Sequence, residues 1–475
     1  MKYHEVVNVK ESARGIQLGN NIVRRFLHMV DATVPPPSSF SGIGHEESPA
    51  SVPQASISKS VCVISLHYPP EQTAIAPYSG ALAAELAASG DNVTALVAHP
   101  HYPEWKTWAG YGQWRTLQQL EGVQVDRRRH YVPRPPRGIR RLASELSFGL
   151  RLSLARMGSP SVVIALSPAL FSTALVALRL RLTPKRPPLI VWVQDIYTLG
   201  LEEIGEGGGM ARRITQWVEG RTLQAADRVV VLHPRFADFV TTQLGVAPQR
   251  VVVFRNWTHL PPSDPVDPGH ARAALGWTTD KTLAVHTGNM GAKQGLENIV
   301  DAARIADMRD LPIQFVLVGD GGERRRLEEY SRGVSRISFV DLLDDEKYHL
   351  ALNAADVLIV NEKSGVSSMA MPCKLTSYFD AGKPVVAATD LLGITASEIA
   401  LANAGIVVPA GNASALLDAI VALRNNPEDA ANFGLNGRRH REAVLDERTA
   451  MENWKALISS VVAERPSSHG RVPRE

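Results

Sequence analysis

Cysteine is nearly absent from this chain: two occur in 475 residues, Cys62 and Cys373, far apart in sequence. Two such residues build neither a disulfide framework nor a zinc site. They fit a reducing, cytosolic compartment. Uninterrupted apolar runs of about 18 residues are also missing, so no transmembrane helix is expected. The first residues carry Lys2, His4, Glu5, Lys10 and Glu11 and no apolar stretch, so no secretory signal peptide is expected. Nor is there an excess of one charge. Lys plus Arg number 51 against 48 Asp plus Glu, a net +3, and no nucleic-acid partner is expected on that ground. What remains is an ordinary globular balance, 44% hydrophobic and 21% charged, in a chain long enough for two or three domains.

Residues 1–58 are rich in Pro, Ser and Gly and read as a mostly disordered leader, with a short helix near 21–29, or as sequence upstream of a misassigned start. Order begins with the apolar run Val61–Leu66, as a buried parallel strand requires. A helix over about 79–89 ends at Gly90, and Asn92–Val97 forms the next strand, which makes a βαβ unit. Strands over 161–166, 189–193, 228–232 and 251–254 continue the series. The prolines at 261, 262, 265 and 268 mark a linker. A second series follows, with strands at 282–286, 313–318, 337–339, 357–360, 384–387 and 405–408. The spacing predicts two α/β doubly wound lobes, residues 59–262 and 263–447, with a cleft between the carboxyl ends of their sheets. A last helix, 448–464, is expected to pack back across the linker, ahead of a disordered tail at 465–475.

Several motifs carry chemistry. Thr287-Gly288-Asn289-Met290-Gly291-Ala292-Lys293-Gln294-Gly295 follows a strand and opens a helix. Its glycines admit a close ligand, its helix start favours a phosphate, and Lys293 adds charge. A tight turn with a solvated lysine would look the same. Val318-Gly319-Asp320-Gly321-Gly322-Glu323 sits at another strand end but lacks the G-x-G-x-x-G spacing of a nicotinamide site. Lys374, Ser377 and Tyr378 share a helical face, and the small polar loop Glu362–Ser368, including Ser364 and Gly365, has the shape to wrap a ligand. In the first lobe Gln194-Asp195 ends a strand. Asp195 can face the cleft and orient a hydroxyl, or cap the next helix. Seven arginines between Arg127 and Arg141 without one acid, followed by Leu142, Leu146, Leu150 and Leu154, suit an anionic membrane surface or a lipid diphosphate. They equally suit a solvated loop before a core helix. His99, His101 and His233 show no metal-ligand spacing, and no Asp-x-Asp ends a strand. No metal and no cofactor beyond a co-substrate is expected.

These stretches, with His67-Tyr68-Pro69-Pro70-Glu71, His99–Trp105, Arg255-Asn256-Trp257 and Cys373-Lys374-Leu375-Thr376, resemble the GT-B fold and the retaining glycosyltransferase family 4. More narrowly they are similar to the WcaI-type fucosyltransferases of colanic acid and exopolysaccharide synthesis. The resemblance spans about Ser60 to Glu464. It implies a nucleotide-sugar donor in the second lobe, with Gly288, Asn289 and Lys293 at the diphosphate, Lys374 nearby, and Asp341 and Leu342 near the base. Gly291, Gln294, Gly319, Ser364, Gly365, Leu375 and Ser377 complete the expected donor set, and Asp195 and Lys374 are the expected catalytic pair. It also implies a polyprenyl-diphosphate-linked saccharide acceptor in the first lobe, and a cytoplasmic protein peripheral to the inner membrane face. The chain departs from the family at Asn289, where an arginine is common, at Gln294, where a lysine is common, and at Gln194, where a histidine is common. The E-x7-E pair would fall near Met369 and Ser377. A catalytically silent partner in polysaccharide assembly and a GT-B-like sugar-nucleotide epimerase are the alternatives.

Overall fold

The computed structural model describes residues 58–72, 75–134, 138–167, 169–204, 209–258, 266–277, 280–365 and 374–464. The predicted leader and tail, most of the linker prolines, Cys373 and the loop 366–373 lie outside them.

The N-terminal lobe runs β1 (Ser60–Ser65), α1 (Ala76–Ala88), β2 (Asn92–Ala98), β3 (Arg115–Leu120), β4 (Val123–Arg128), α2 (Gly138–Ser153), β5 (Val162–Ser167), α3 (Leu170–Leu182), β6 (Leu189–Val193), α4 (Tyr197–Ile204), α5 (Gly209–Gln224), β7 (Arg228–Val231), α6 (Pro234–Thr242) and β8 (Val251–Val253). The C-terminal lobe runs α7 (Pro268–Leu275), β9 (Thr282–Thr287), α8 (Glu297–Met308), β10 (Ile313–Val318), α9 (Arg324–Tyr330), β11 (Ile337–Val340), α10 (Asp345–Ala354), β12 (Val357–Asn361), α11 (Lys374–Asp380), β13 (Val385–Thr389), α12 (Ile394–Ala402), β14 (Gly405–Pro409), α13 (Ala413–Asn425), α14 (Pro427–Val444) and α15 (Glu447–Ala463).

The sheet orders are β3-β4-β2-β1-β5-β6-β7-β8 and β11-β10-β9-β12-β13-β14. Every pairing is parallel except β3 with β4. Parallel strands covered on both faces must be apolar throughout, and β5, β6, β12 and β13 are buried at every position. The β3–β4 hairpin was not anticipated, because β4 carries Asp126, Arg127 and Arg128 where a buried strand should be apolar. All three are buried, and Arg127 donates to the carbonyls of Ala98 and Pro69. Asp126 takes Arg128 at 2.6 Å and Arg115 at 3.0 Å.

Strand order locates the clefts. The chain turns back between β1 and β5 in the first sheet and between β9 and β12 in the second. A crevice opens beyond the carboxyl ends of such strands.

The last helix, α15, belongs to the N-terminal lobe. Trp454 packs 4.7 Å from Trp192 and 5.5 Å from Phe254, ring centre to centre, and Lys455 pairs with Glu85 of α1 at 2.5 Å. A second tie joins the lobes. Glu398 of α12, fully buried, takes Arg255 at 2.9 Å and His233 Nε2 at 3.3 Å. His233 Nδ1 accepts the Arg235 amide, so its proton sits on Nε2 and points at the carboxylate. Burial alone would raise the Glu398 pKa, but the histidines beside it and the Arg255 charge hold it well below the usual carboxylate range.

Candidate active site

In the C-terminal lobe three loops meet at the switch point. Gly288 follows β9 at φ +112, and its amide donates to Val318 at 2.9 Å. The neighbouring Gly319, at φ +132, leaves no room for a Cβ, which would collide with the Gly288 carbonyl. Met290 donates to Asp320 at 2.8 Å and Glu323 donates back to Met290 at 2.9 Å. The two glycine turns therefore form one laced floor. Asn361, at the end of β12, pins the third loop to it: its Nδ2 donates to the carbonyls of Gln294 at 2.7 Å and Gly295 at 2.9 Å. Asn298 holds Asn361 in turn, at 2.8 Å. The Lys363 amide donates to Lys293 at 2.9 Å.

Above this floor stands Lys374. A Cβ on Gly288 would lie 3.8 Å from its Nζ, so the glycine keeps the space beside the ammonium open. Lys374 Nζ lies 3.3 Å from His286 Nε2. His286 is fully buried, and its Nδ1 lies 3.0 Å from the Ile359 carbonyl. A carbonyl only accepts, so Nδ1 carries the proton and Nε2 accepts from the lysine. Burial and the Lys374 charge hold the His286 pKa well below its ordinary value, which keeps the ring neutral. Tyr378 braces the same corner, with the Thr287 amide donating to its hydroxyl at 2.9 Å. At the far end of the floor, Arg324 donates to Gly319 at 2.7 Å and pairs with Asp341 at 2.7 Å.

In the N-terminal lobe Asp195 follows β6, half-buried. Burial pushes its carboxyl up to about 6, against the downward pull of Arg141 and of Lys293 from the other lobe. The amides of Tyr197 and Thr198 at the start of α4 go to Glu219 at 2.7 and 3.0 Å, so Asp195 is not their cap. Gln194 lies beside it and exchanges hydrogen bonds with Asn256 at 2.8 and 3.3 Å. At the β1 end, Glu71 accepts His101 and Tyr102 amides at 2.7 and 2.9 Å and lies 2.8 Å from His67 Nδ1. His101 Nδ1 donates to the His99 carbonyl at 2.9 Å. The three side chains His67, Glu71 and His101 stand close enough to hold a cation. Glu71 and the Nδ1 atoms of both histidines are engaged in these hydrogen bonds, which staple the 67–72 and 99–103 loops together, while His101 Nε2 is buried without a partner.

Comparison with known proteins sets this geometry in a family. Residues 73–257 match a glycosyl transferase 4-like domain, and residues 281–426 match the glycosyl transferases group 1 domain. A protein of Escherichia coli named for colanic acid biosynthesis, WcaI, is 31% identical over 334 residues, which cover 68% of this chain and 81% of that protein. The chain belongs to the family 4-like glycosyltransferases. Their fold is GT-B, and solved structures agree. Sucrose-phosphate synthase of Thermosynechococcus elongatus superposes with a TM-score of 0.65 at 20% identity, covering 86% of this chain and all of that one. HepE of Anabaena, in complex with UDP, gives 0.61 at 16% identity, covering 85% of this chain and all of that one.

Within this glycosyltransferase the expected site residues divide. Gly288, Asn289, Gly291, Lys293, Gly319 and Lys374 gather at the β9–β12 switch point. Ser364 and Gly365 end the exposed loop beside them. Three positions need correction. Leu375 is fully buried in the core, so its side chain contacts no ligand. Ser377 is likewise buried within α11. The Gln294 side chain turns inward, accepting the Gly291 amide at 3.2 Å, and shapes the turn. Asp341 is exposed and engaged by Arg324, with Leu342 exposed beside it. Sequence reasoning missed His286, Asn361 and Arg324. Asn361 at the end of β12 and Arg324 at the start of α9 sit next to quoted motifs, which was the available signal.

The basic run also needs correction. Arg127 is fully buried on β4, donating to the carbonyls of Ala98 and Pro69, and Arg128 is buried on Asp126. The run begins inside the protein. The leucines that follow it are the surprise: Leu146, Leu150 and Leu154 are exposed, while α2 buries Ser144, Glu145, Phe148, Gly149 and Leu152.

Proposed function

We propose that the enzyme transfers a sugar, with retention at the anomeric carbon, from a nucleoside diphosphate donor to a lipid-linked saccharide acceptor in cell-surface or exopolysaccharide synthesis. The observation that carries the donor half is Lys374, held by neutral His286 over the Gly288 turn. A cation fixed above glycine amides at a sheet switch point suits a diphosphate leaving group, whose charge grows as the sugar departs. Asp195 faces it from the other lobe. Ionised above about pH 6, its carboxylate accepts a hydrogen bond from an acceptor or sugar hydroxyl. The WcaI relative, named for colanic acid biosynthesis, supports polysaccharide synthesis; the motif resemblance suggests GDP-fucose as donor, and HepE, solved with UDP and with UDP-glucose, supports a UDP-sugar. The reaction runs at the cytoplasmic membrane face, where such an acceptor resides.

Two measurements test this. Thermal stabilisation by GDP but not UDP, or the reverse, names the donor class. Label transfer from that donor to a polyprenyl-diphosphate saccharide, with NMR of the product anomer, tests acceptor and stereochemistry. Transfer only to soluble sugars would overturn the lipid-linked acceptor, and an inverted product would overturn retention.

A further inference from the structure

One face of the acceptor lobe combines exposed apolar side chains with charge of one sign. The connections from β4 to β5, β5 to β6 and β6 to β7 all step the same way across the sheet. Right-handed crossovers then place α2, α3 and α5 on one side, and α2 packs on α3 and α3 on α5. Each leaves large apolar side chains in solvent. Leu150 and Leu154 stand out from α2 and its end, Leu178 and Leu182 from α3, and Ile214 and Trp217 from α5. Leu154 is 80% exposed, Leu182 75% and Trp217 63%.

Charge on the same helices is one-sided. α2 carries three arginines, α3 two and α5 three. Their acids are Glu145 and Glu219, both buried. Glu145 is spent on the Phe171 amide, Tyr197 and Arg141, and Glu219 on the start of α4. The outward face of the three helices therefore presents arginines and leucines with no exposed carboxylate. Arg221 lies over the Trp217 ring, 5.9 Å from its centre, so the aromatic and the cation project together.

We infer that this α2–α3–α5 face docks on a bilayer rich in anionic lipid, its apolar side chains entering the headgroup boundary and its arginines meeting phosphates. Alternation of large apolar and cationic side chains without acids fits that surface. A second copy of the chain would set arginine against arginine, and a nucleic acid offers nothing for the leucines. No helix among the described residues is long and apolar enough to cross a membrane. This deepens the reading of a lipid-linked acceptor and rests on it for the choice of a bilayer. It also supplies the acceptor lobe, not the donor lobe, as the one held at the membrane.

The test is co-sedimentation of the full chain with phosphatidylcholine vesicles, with and without phosphatidylglycerol. Binding is expected only to the anionic vesicles, falling with added salt. Arg181→Gln with Arg213→Gln lowers the partition coefficient roughly thirtyfold, from the worth of two basic residues near an anionic surface. Leu154→Ser with Trp217→Ser also weakens it, and the loss persists at high salt. These exposed positions leave the melting temperature and nucleotide stabilisation unchanged. A folded wild-type chain that ignores anionic vesicles overturns the inference, including by self-association or capture of an acidic protein through this face. Binding that survives both double variants places the docking surface elsewhere and overturns it too. Vesicle binding without any nucleotide stabilisation would instead count against the donor reading and leave the face standing.

Discussion

The two lobes share a core order of six parallel strands, to which the first adds β3 and β8 at its edges, and they use charge in opposite ways. In the donor lobe a cation stands over open glycine backbone at the switch point, held by a neutral histidine. In the acceptor lobe the charged side chains at the corresponding strand ends are consumed by the protein itself. Glu71 satisfies two amides and a histidine, Arg127 two carbonyls, and Glu219 the start of α4. Asp195 is the exception, a carboxylate at a strand end that caps nothing. A strand end becomes a ligand site when its polar groups are held but not used up, and becomes a platform when they are.

That contrast can be broken from either side. Removing the donor cation should do most. Lys374→Ala is expected to lower kcat/KM by about 10²–10³, or about 3–4 kcal/mol of transition-state stabilisation, and to abolish stabilisation by the nucleoside diphosphate. Steady-state kinetics and a thermal-shift titration read both. In the acceptor lobe Glu71→Ala strands three donors in a buried loop corner and should cost about 3 kcal/mol of stability with nucleotide binding intact, as read by denaturant midpoints. If nucleotide binding fails as well, the staple is not confined to its lobe.

Asp195 offers a pH test. Burial raises its pKa to about 6. Activity should fall about tenfold per unit as pH drops below 6, and Asp195→Asn should remove that limb. The native state binds this proton more tightly than the unfolded chain does. Acidification through 6 toward the ordinary carboxylate range therefore adds stability from this group while activity is lost. Glu145, also raised to about 6 by burial, is the neighbour whose own variant must be run beside it. The smallest effect expected is from His286→Phe. Loss of the hydrogen bond to Lys374 should lower kcat/KM about fivefold, near 1 kcal/mol, and loss of the buried bond to the Ile359 carbonyl should lower the melting temperature as well.

The strands of both sheets and their order of lobes were legible because parallel strands are buried on both faces and read as apolar runs. The β3–β4 hairpin was not, since the buried charges of β4 find partners that a linear pattern does not show: Asp126 takes Arg115 across the hairpin, and Arg127 reaches the Ala98 and Pro69 carbonyls. The glycine turns at 288–291 and 319–322 announced themselves by composition. His286, inside the apolar run of β9, could not: its role depends on Ile359 and Lys374, 73 and 88 residues away. For the same reason α2 misled. Periodicity marked a leucine stripe, and a stripe shows which residues share a side but not whether that side is the core.

Trp454 has a consequence for how the chain is made. The acceptor lobe's aromatic cluster, Trp192 with Trp257 and Trp454, takes its last member from α15, which follows the whole donor lobe in sequence. During synthesis the first-made lobe must wait with Trp192 uncovered while the second is translated and can close its own core. The order of completion is thus inverted relative to the order of emergence. Ribosome-stalled chains ending before Glu447 should show a protease-resistant donor lobe and an acceptor lobe still open to cleavage.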